Sequence, residues 1–323
     1  MSFPRREIGV TGQLNGVPVN GQHIRKTSSR APHDSNDPGV SASYACVRAD
    51  GKARSAGPRH YLMCPPAYFD VKYSINPWMD AARPVDRRLA YTQWAWVRDL
   101  YRDLGHHVSE IDPAEGLPDM LFTASAATVV DGRVLLANFR HEERAPEIRA
   151  YRDWFRAHGF GEVYAATHVN EGEADCLLAG DRLLCGTGFR TSRSAHSEVE
   201  DVLGRPVTSL TLTDPRFFHL DIALCVLSAD QITYYPQAFA PDSQDVLRRL
   251  YPDAILADET DAEVFGLNAA SDGRHVVVSQ EATHMIGQLR DRGFIPLGVD
   301  VSELAKGGGG VKCCTLELRT RSR

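Results

Sequence analysis

The stretch ATVVDGRVLLANF (127–139), together with its counterpart CLLAGDRLLCGTG (176–188), decides the fold. In each, one apolar run meets a second across a two-residue turn, Asp131-Gly132 in the first and Gly180-Asp181 in the second. Runs joined so tightly pair antiparallel, because parallel strands need a crossover of about a dozen residues or more. Each hairpin leads to a stretch of helical spacing closed by a glycine: RAPEIRAYRDWFRAHGF (144–160) and RSAHSEVEDVLG (193–204). Working outward, HYLMCPP (60–66) reads as a buried strand stopped by paired prolines, and RRLAYTQWAWVRDLYRDLGH (87–106) as an amphipathic helix. The texture continues through ALCVLSADQITYYP, SQDVLRRLYP, HVVVSQEATHMIGQLRDRGF and KCCTLELRT. Strand, hairpin and helix thus recur at a long internal period, which predicts a radial or solenoid α/β arrangement. The hairpins speak against a doubly wound parallel sheet. No strand is followed by GxGxxG or GxxxxGK[ST], so neither a dinucleotide nor a P-loop site is signalled.

Residues 1–57 are rich in Gly, Ser, Pro, Arg and Asn without hydrophobic periodicity. They read as a polar, loosely attached extension, with Tyr44 to Val47 as a candidate edge strand. Residues 58–323 read as a single catalytic domain. A net charge of −6 excludes the basic footprint of a nucleic-acid binder. No segment approaches the ~18 consecutive apolar residues of a membrane span. The N-terminus, MSFPRREIGVTGQLNG, lacks the apolar core of a secretory signal, so the cytoplasm is expected. Seven cysteines, an odd number with no CxxC pair, argue against a disulfide framework.

Three stretches could carry chemistry. In KGGGGVKCCTLEL (306–318), four glycines let backbone approach a ligand closely, and Cys313 follows beside Lys312 at the expected opening of a strand. Cys313 and Cys314 would face opposite sides of that strand, so only one of them can be a nucleophile. In DPRFFHLDIALCVL (214–227), His219 and Asp221 share a face if the segment is extended. An imidazole there can shuttle protons while the carboxylate grips a cation. In THVNEGEADCLLAG (167–180), Glu171, Glu173 and Asp175 alternate, which a cation or donor network must compensate. Carboxylates so spaced also suit a hard metal ion, although the other calcium-loop ligands and every zinc signature are missing. Asp119 and Ser125 bracket an apolar turn in GLPDMLFTASAATVV (116–130), and Asn76 precedes Pro77 in an aromatic-rich loop. Arg144 and Arg190 are candidate anchors for a carboxylate.

Taken in order, MCPPAYFDVKYSINPWM, PDMLFTASA, EGEAD, GFRTSRSAH, FFHLD and GGGGVKCCTLEL resemble the guanidino-group-modifying enzyme superfamily. Its members include arginine deiminases, dimethylarginine dimethylaminohydrolases, arginine dihydrolases and amidinotransferases. The resemblance spans residues 58 to 320 or so and implies a five-fold pseudosymmetric α/β propeller of ββαβ-like units. It also implies Cys313 as nucleophile, His219 as general acid and base, and Glu171 as the carboxylate that orients His219. Asp221 would hold the guanidinium, Arg144 and Arg190 the substrate carboxylate, and Asn76, Asp119 and Ser125 would line the substrate site. Deiminases and dimethylarginine hydrolases resemble each other in having aspartate, and the dihydrolase-like branch asparagine, where this chain has Ser125. The implied activity is hydrolysis of arginine or an N-substituted arginine through a covalent thiouronium. It would give citrulline, or ornithine after a second hydrolysis. Neither cofactor nor metal is called for, and the partner is a small guanidino substrate, with homo-oligomerisation left open. The competing readings are an amidinotransferase, a non-catalytic member of the fold and a metalloenzyme.

Overall fold

The computed structural model describes residues 53–320. They build five three-stranded sheets, each with one antiparallel and one parallel strand pair. The first sheet holds β1 (His60–Met63) and, after helix α1 (Arg87–Asp103), the parallel strand β2 (His107–Glu110). The second has the hairpin β3 (Ala127–Val130) and β4 (Arg133–Leu136), then α2 (Glu147–Ala157) and the parallel β5 (Glu162–Ala165). The third repeats it with β6 (Cys176–Ala179), β7 (Arg182–Thr187), α3 (Ala195–Leu203) and β8 (Val207–Thr211). The fourth has β9 (Leu224–Ser228), β10 (Gln231–Tyr234), α4 (Pro241–Leu250) and β11 (Ile255–Leu256). A short helix α5 (Glu259–Glu263) leads to the fifth: β12 (Ala270–Ser271), β13 (His275–Ser279), α6 (Thr283–Asp291) and β14 (Ile295–Val299). The C-terminal β15 (Leu316–Glu317) pairs antiparallel with β1, so the two ends of the domain complete one sheet between them. This is the five-bladed α/β propeller that the resemblance implied.

Local chemistry explains the repeat. The β3–β4 turn places Asp131 at φ 52° and Gly132 at φ 80°, the doubly left-handed geometry whose twist suits a two-residue hairpin. Helix α1 starts where the Asp86 carboxylate accepts the N–H groups of Arg88 and Leu89. It buries Ala90, Gln93, Trp94, Val97 and Tyr101, a stripe at helical spacing. Before β3, β6 and β9 the chain makes a short 3₁₀ turn, at Thr123–Ala126, Gly172–Ala174 and Leu220–Ile222. These turns pack on one another and carry much of the candidate site.

Two local expectations change. Residues 311–314 form a turn, and the strand begins only at Leu316, so Cys313 and Cys314 do not alternate across a sheet. The glycines let this turn fold against packed side chains: a Cβ on Gly309 would sit 2.8 Å from the Cys313 Cβ. The HxD pair is not one extended face either, because Asp221 already lies in the 3₁₀ turn. The extension expected over 1–57 and the candidate strand at Tyr44–Val47 lie almost wholly outside the described residues. At its end, buried Arg54 donates to the Arg292 carbonyl at 2.9 Å and covers the Phe294 ring.

Candidate active site

Four distant segments converge. The Cys313 thiol, 3 % exposed, donates to Asp221 Oδ2 at 3.2 Å. His219 Nε2 lies 2.7 Å from Glu171 Oε2, and Arg190 Nη1 donates to that same oxygen at 2.8 Å. The backbone N–H of Arg140 reaches Glu171 Oε1 at 3.2 Å. His219 and Cys313 open onto one cavity lined by Ile75, Asn76, Met79, Asp119, Phe122, Ser125, Arg144, Arg190 and Phe218. Its volume is ≈ 20 Å³, room for about one water. Two roomier cavities of ≈ 240 Å³ lie elsewhere, and neither gathers a cysteine with a histidine.

The 3₁₀ turns set these positions. Glu171 directly precedes one turn and His219, with extended backbone, directly precedes another. The alternating acidic run is thereby split among three separate sets of partners. Glu171 goes to His219 and Arg190, and Glu173 makes ion pairs with Lys312 at 2.8 Å and Arg319 at 2.6 Å. Asp175 accepts from the Thr191 hydroxyl at 2.6 Å and the Leu220 N–H at 2.9 Å. The three carboxylates therefore do not gather around a common point, which removes the argument for a metal in that loop.

Electrostatics divides the carboxylates by role. Burial alone would raise Glu171, but Arg190 and the His219 hydrogen bond overcome it and hold Glu171 far below the usual carboxylate range. Glu173 is held at about 2, since Arg319 and Lys312 outweigh its burial. Asp221 goes the other way: burial pushes it up to about 7 despite the charge of Lys312 and the thiol hydrogen bond. Burial and then the negative Asp221 push the Cys313 thiol well above its ordinary value. Asp119 is likewise raised by burial, against the pull of Arg144 and the bond it accepts from the Tyr73 hydroxyl at 2.8 Å.

The two arginines are less free than carboxylate anchors would be. Arg144 grips Glu147 through Nε at 2.9 Å and Nη2 at 2.8 Å, and Nη2 also donates to the Asp119 carbonyl. Arg190 is shared between Glu171 and the Ile75 carbonyl and lies over the Phe218 ring. Asn76 donates to the Gly307 carbonyl at 3.1 Å and accepts the Trp78 N–H, tying its loop to the glycine run. Ser125 is buried at the cavity wall. The nine residues to which the resemblance gives a role therefore lie in or directly behind one cavity.

Sequence reasoning missed three contributors. Glu147, the buried partner of Arg144, was signalled only by its i+3 spacing from that arginine. Tyr73 was one aromatic among several in its loop. Asn268 carries no motif at all, yet its Oδ1 accepts the N–H groups of Gly310 at 2.9 Å and Cys313 at 3.1 Å. Its Nδ2 lies 3.1 Å from the Cys313 sulfur.

Comparison with known proteins agrees with this geometry. No family model matches the chain. An N(G),N(G)-dimethylarginine dimethylaminohydrolase of Mycobacterium tuberculosis is 51% identical over 265 residues, covering 82% of this chain and 87% of that protein. The bifunctional arginine dihydrolase/ornithine cyclodeaminase ArgZ of Synechocystis is 35% identical over 80% of this chain, which spans only 37% of that longer protein. A crystal structure of a variant ArgZ N-terminal domain covalently bound to a reaction intermediate superposes with a TM-score of 0.78 at 34% identity. It covers 81% of this chain and 98% of that domain. The Pseudomonas aeruginosa dimethylarginine hydrolase, in a complex with citrulline, shares the fold at 18% identity and a TM-score of 0.68. The chain thus belongs to the guanidino-group-modifying superfamily of cysteine hydrolases, alongside the dimethylarginine dimethylaminohydrolases and arginine dihydrolases.

Proposed function

We propose that Cys313 is the nucleophile that cleaves a C–N bond in the guanidinium of arginine or an N-substituted arginine. One observation carries this reading: a Cys313–Asp221 pair and a His219–Glu171 pair meet at a single buried cavity. Asp119, Glu147 and Glu171 lie beside two arginines, and a fourth carboxylate, Asp221, lies beside the thiol, so the site favours a cationic ligand. Asp119 Oδ1 and Asp221 Oδ1 are buried acceptors without a hydrogen-bond donor among the described residues, and a planar cation with several N–H groups supplies donors for both.

In this reading Asp221 and Glu171 hold the guanidinium with its central carbon against Cys313. A buried cation beside Asp221 offsets the negative charge that keeps the thiol protonated, so the thiolate forms with substrate in place. Sulfur attacks the carbon, and His219 hands a ring proton to the departing amine. A cysteine-bound thiouronium remains. His219, now neutral, takes a proton from water, whose oxygen adds to the same carbon; the C–S bond then breaks, freeing the ureido product and returning Cys313 as its thiolate. Arg144, through the Nη1 not used on Glu147, is assigned to the substrate carboxylate, and no metal takes part. The short, uncharged Ser125 leaves room at the wall for a substituent on the guanidinium, which favours an N-alkylated arginine that releases an alkylamine. Because the cavity holds about one water, entry requires its lining to move. The six described cysteines are free and buried, which supports a reducing, cytoplasmic setting.

A mass-spectrometric screen of arginine, methylated arginines, hydroxyarginine, agmatine and citrulline tests substrate and step number together. Release of alkylamine and citrulline without an acceptor amine is expected. Turnover only with an acceptor amine would make the enzyme an amidinotransferase. Stoichiometric labelling by chloroacetamidine, lost in Cys313→Ser, is expected of a catalytic rather than a binding protein.

A further inference from the structure

We infer that Asn268 is a catalytic residue that delivers a fixed amide N–H to the Cys313 sulfur and thereby favours its thiolate. This deepens the reading of Cys313 as nucleophile and rests on it.

The side-chain amide of Asn268 is fully committed and wholly buried. Its Oδ1 accepts two backbone N–H groups from the glycine turn, Gly310 at 2.9 Å and Cys313 at 3.1 Å. That fixes which end is oxygen, because an NH₂ group placed there would face two donors. The Nδ2 end must then point the other way, and it donates to the Asp221 carbonyl at 3.1 Å and to Cys313 Sγ at 3.1 Å. The Asn268 carbonyl also accepts the Lys312 N–H at 3.2 Å, so one residue holds three N–H groups of the 310–313 segment. Asn268 is itself held by its own N–H, which donates to the carbonyl of Phe265, a residue at φ 59°.

The sulfur thus sits between an acceptor, Asp221 Oδ2, and a donor, Asn268 Nδ2. A neutral thiol accepts weakly, whereas a thiolate accepts strongly, so the N–H stabilises the ionised form more than the protonated one. In a site where burial and Asp221 both oppose ionisation, this N–H is the neighbour that acts in its favour.

The experiment is the pH profile of Cys313 alkylation by iodoacetamide, read by fragment mass spectrometry that separates Cys313 from Cys314. It needs no substrate. Asn268→Asp is close to isosteric and keeps acceptors for the Gly310 and Cys313 N–H groups while replacing the donor to sulfur by an acceptor. Its apparent thiol pKa should rise by at least one, a tenfold or larger loss of alkylation rate at neutral pH. A wild-type profile in folded Asn268→Asp would overturn the inference. Should that variant not fold, nitrogen-15 NMR of the otherwise wild-type protein serves. One Nδ2–H signal of Asn268 should titrate with the thiol and cease to do so in Cys313→Ser, and a signal indifferent to both would equally overturn it. If Cys313→Ser kept full hydrolytic activity, the nucleophile reading would fall while the alkylation profile still reported on Asn268.

Discussion

Replacing Asp221 by asparagine should make the protein more stable and inactive at once, with the stability gain appearing only as pH rises. Asp221 is fully buried, its Oδ1 lacks a donor, and its carboxyl is raised from an ordinary 3.8 to about 7. Folding therefore favours the protonated form. Below pH ~4 the carboxyl is neutral in both folded and unfolded chains and costs nothing extra. Between pH ~4 and ~7 the unfolded chain gives up the proton and the folded one keeps it, so stability declines across that window. The full shift corresponds to on the order of 4 kcal/mol. An asparagine still buries a polar amide at this position, which offsets part of that, so about 2 kcal/mol is a realistic gain for Asp221→Asn at pH 8. At roughly 2–4 °C per kcal/mol, the melting temperature should rise by about 4–8 °C. The assay is thermal unfolding of both proteins at pH 4, 6 and 8, with kcat/KM measured alongside. The difference should be near zero at pH 4 and largest at pH 8, while activity falls at least a hundredfold at pH 8. A variant destabilised equally at every pH would refute the argument that the site keeps this carboxyl at the expense of stability.

Glu171→Gln should behave oppositely. It leaves buried Arg190 without a carboxylate partner and should cost about 3–5 kcal/mol in chemical denaturation above pH ~4.5, a penalty that shrinks as pH falls below that, because the unfolded wild-type chain then takes up the proton that native Glu171 does not. Because a protonated Asp221 cannot hold a cation, kcat/KM of the wild type should climb as pH passes through about 7. Gly308→Ala places a Cβ 2.7 Å from the Asn76 amide at φ 87°, so it should cost on the order of 1–3 kcal/mol and raise KM by displacing Asn76. Ser125→Asp adds a carboxylate to the cavity wall and should shift kcat/KM toward unsubstituted arginine by about tenfold or more, as read by competition between arginine and a methylated arginine. Prolonged dialysis against EDTA should leave turnover unchanged, which an assay before and after treatment checks.

Much of the fold was legible because its repeat is written in local signals. Tight turns at Asp131-Gly132 and Gly180-Asp181 dictate hairpins whatever surrounds them, and the stripe Ala90, Trp94, Val97, Tyr101 can be buried only by a helix. How five such units close is a property of edges, and the pairing of β15 with β1 joins residues too far apart for any periodicity to reveal. In the candidate site, the residues set in unusual local sequence stood out: Cys313 after four glycines, and His219 with Asp221. The HxD spacing picked out two residues that do lie together, but not on one extended face, since a 3₁₀ turn turns Asp221 toward sulfur while His219 faces Glu171. Asn268 was invisible because its role lies in which backbone groups surround it, and an asparagine after a helix ordinarily reads as a turn residue.

Arresting turnover in acid within milliseconds and weighing the Cys313 peptide tests the central claim most directly. The expected species on that sulfur is an adduct equal to the substrate less its departing amine, amino-acid portion included, appearing and decaying at rates compatible with kcat and absent from Cys313→Ser. Steady hydrolysis by Cys313→Ser would contradict it, as would an adduct on any other side chain.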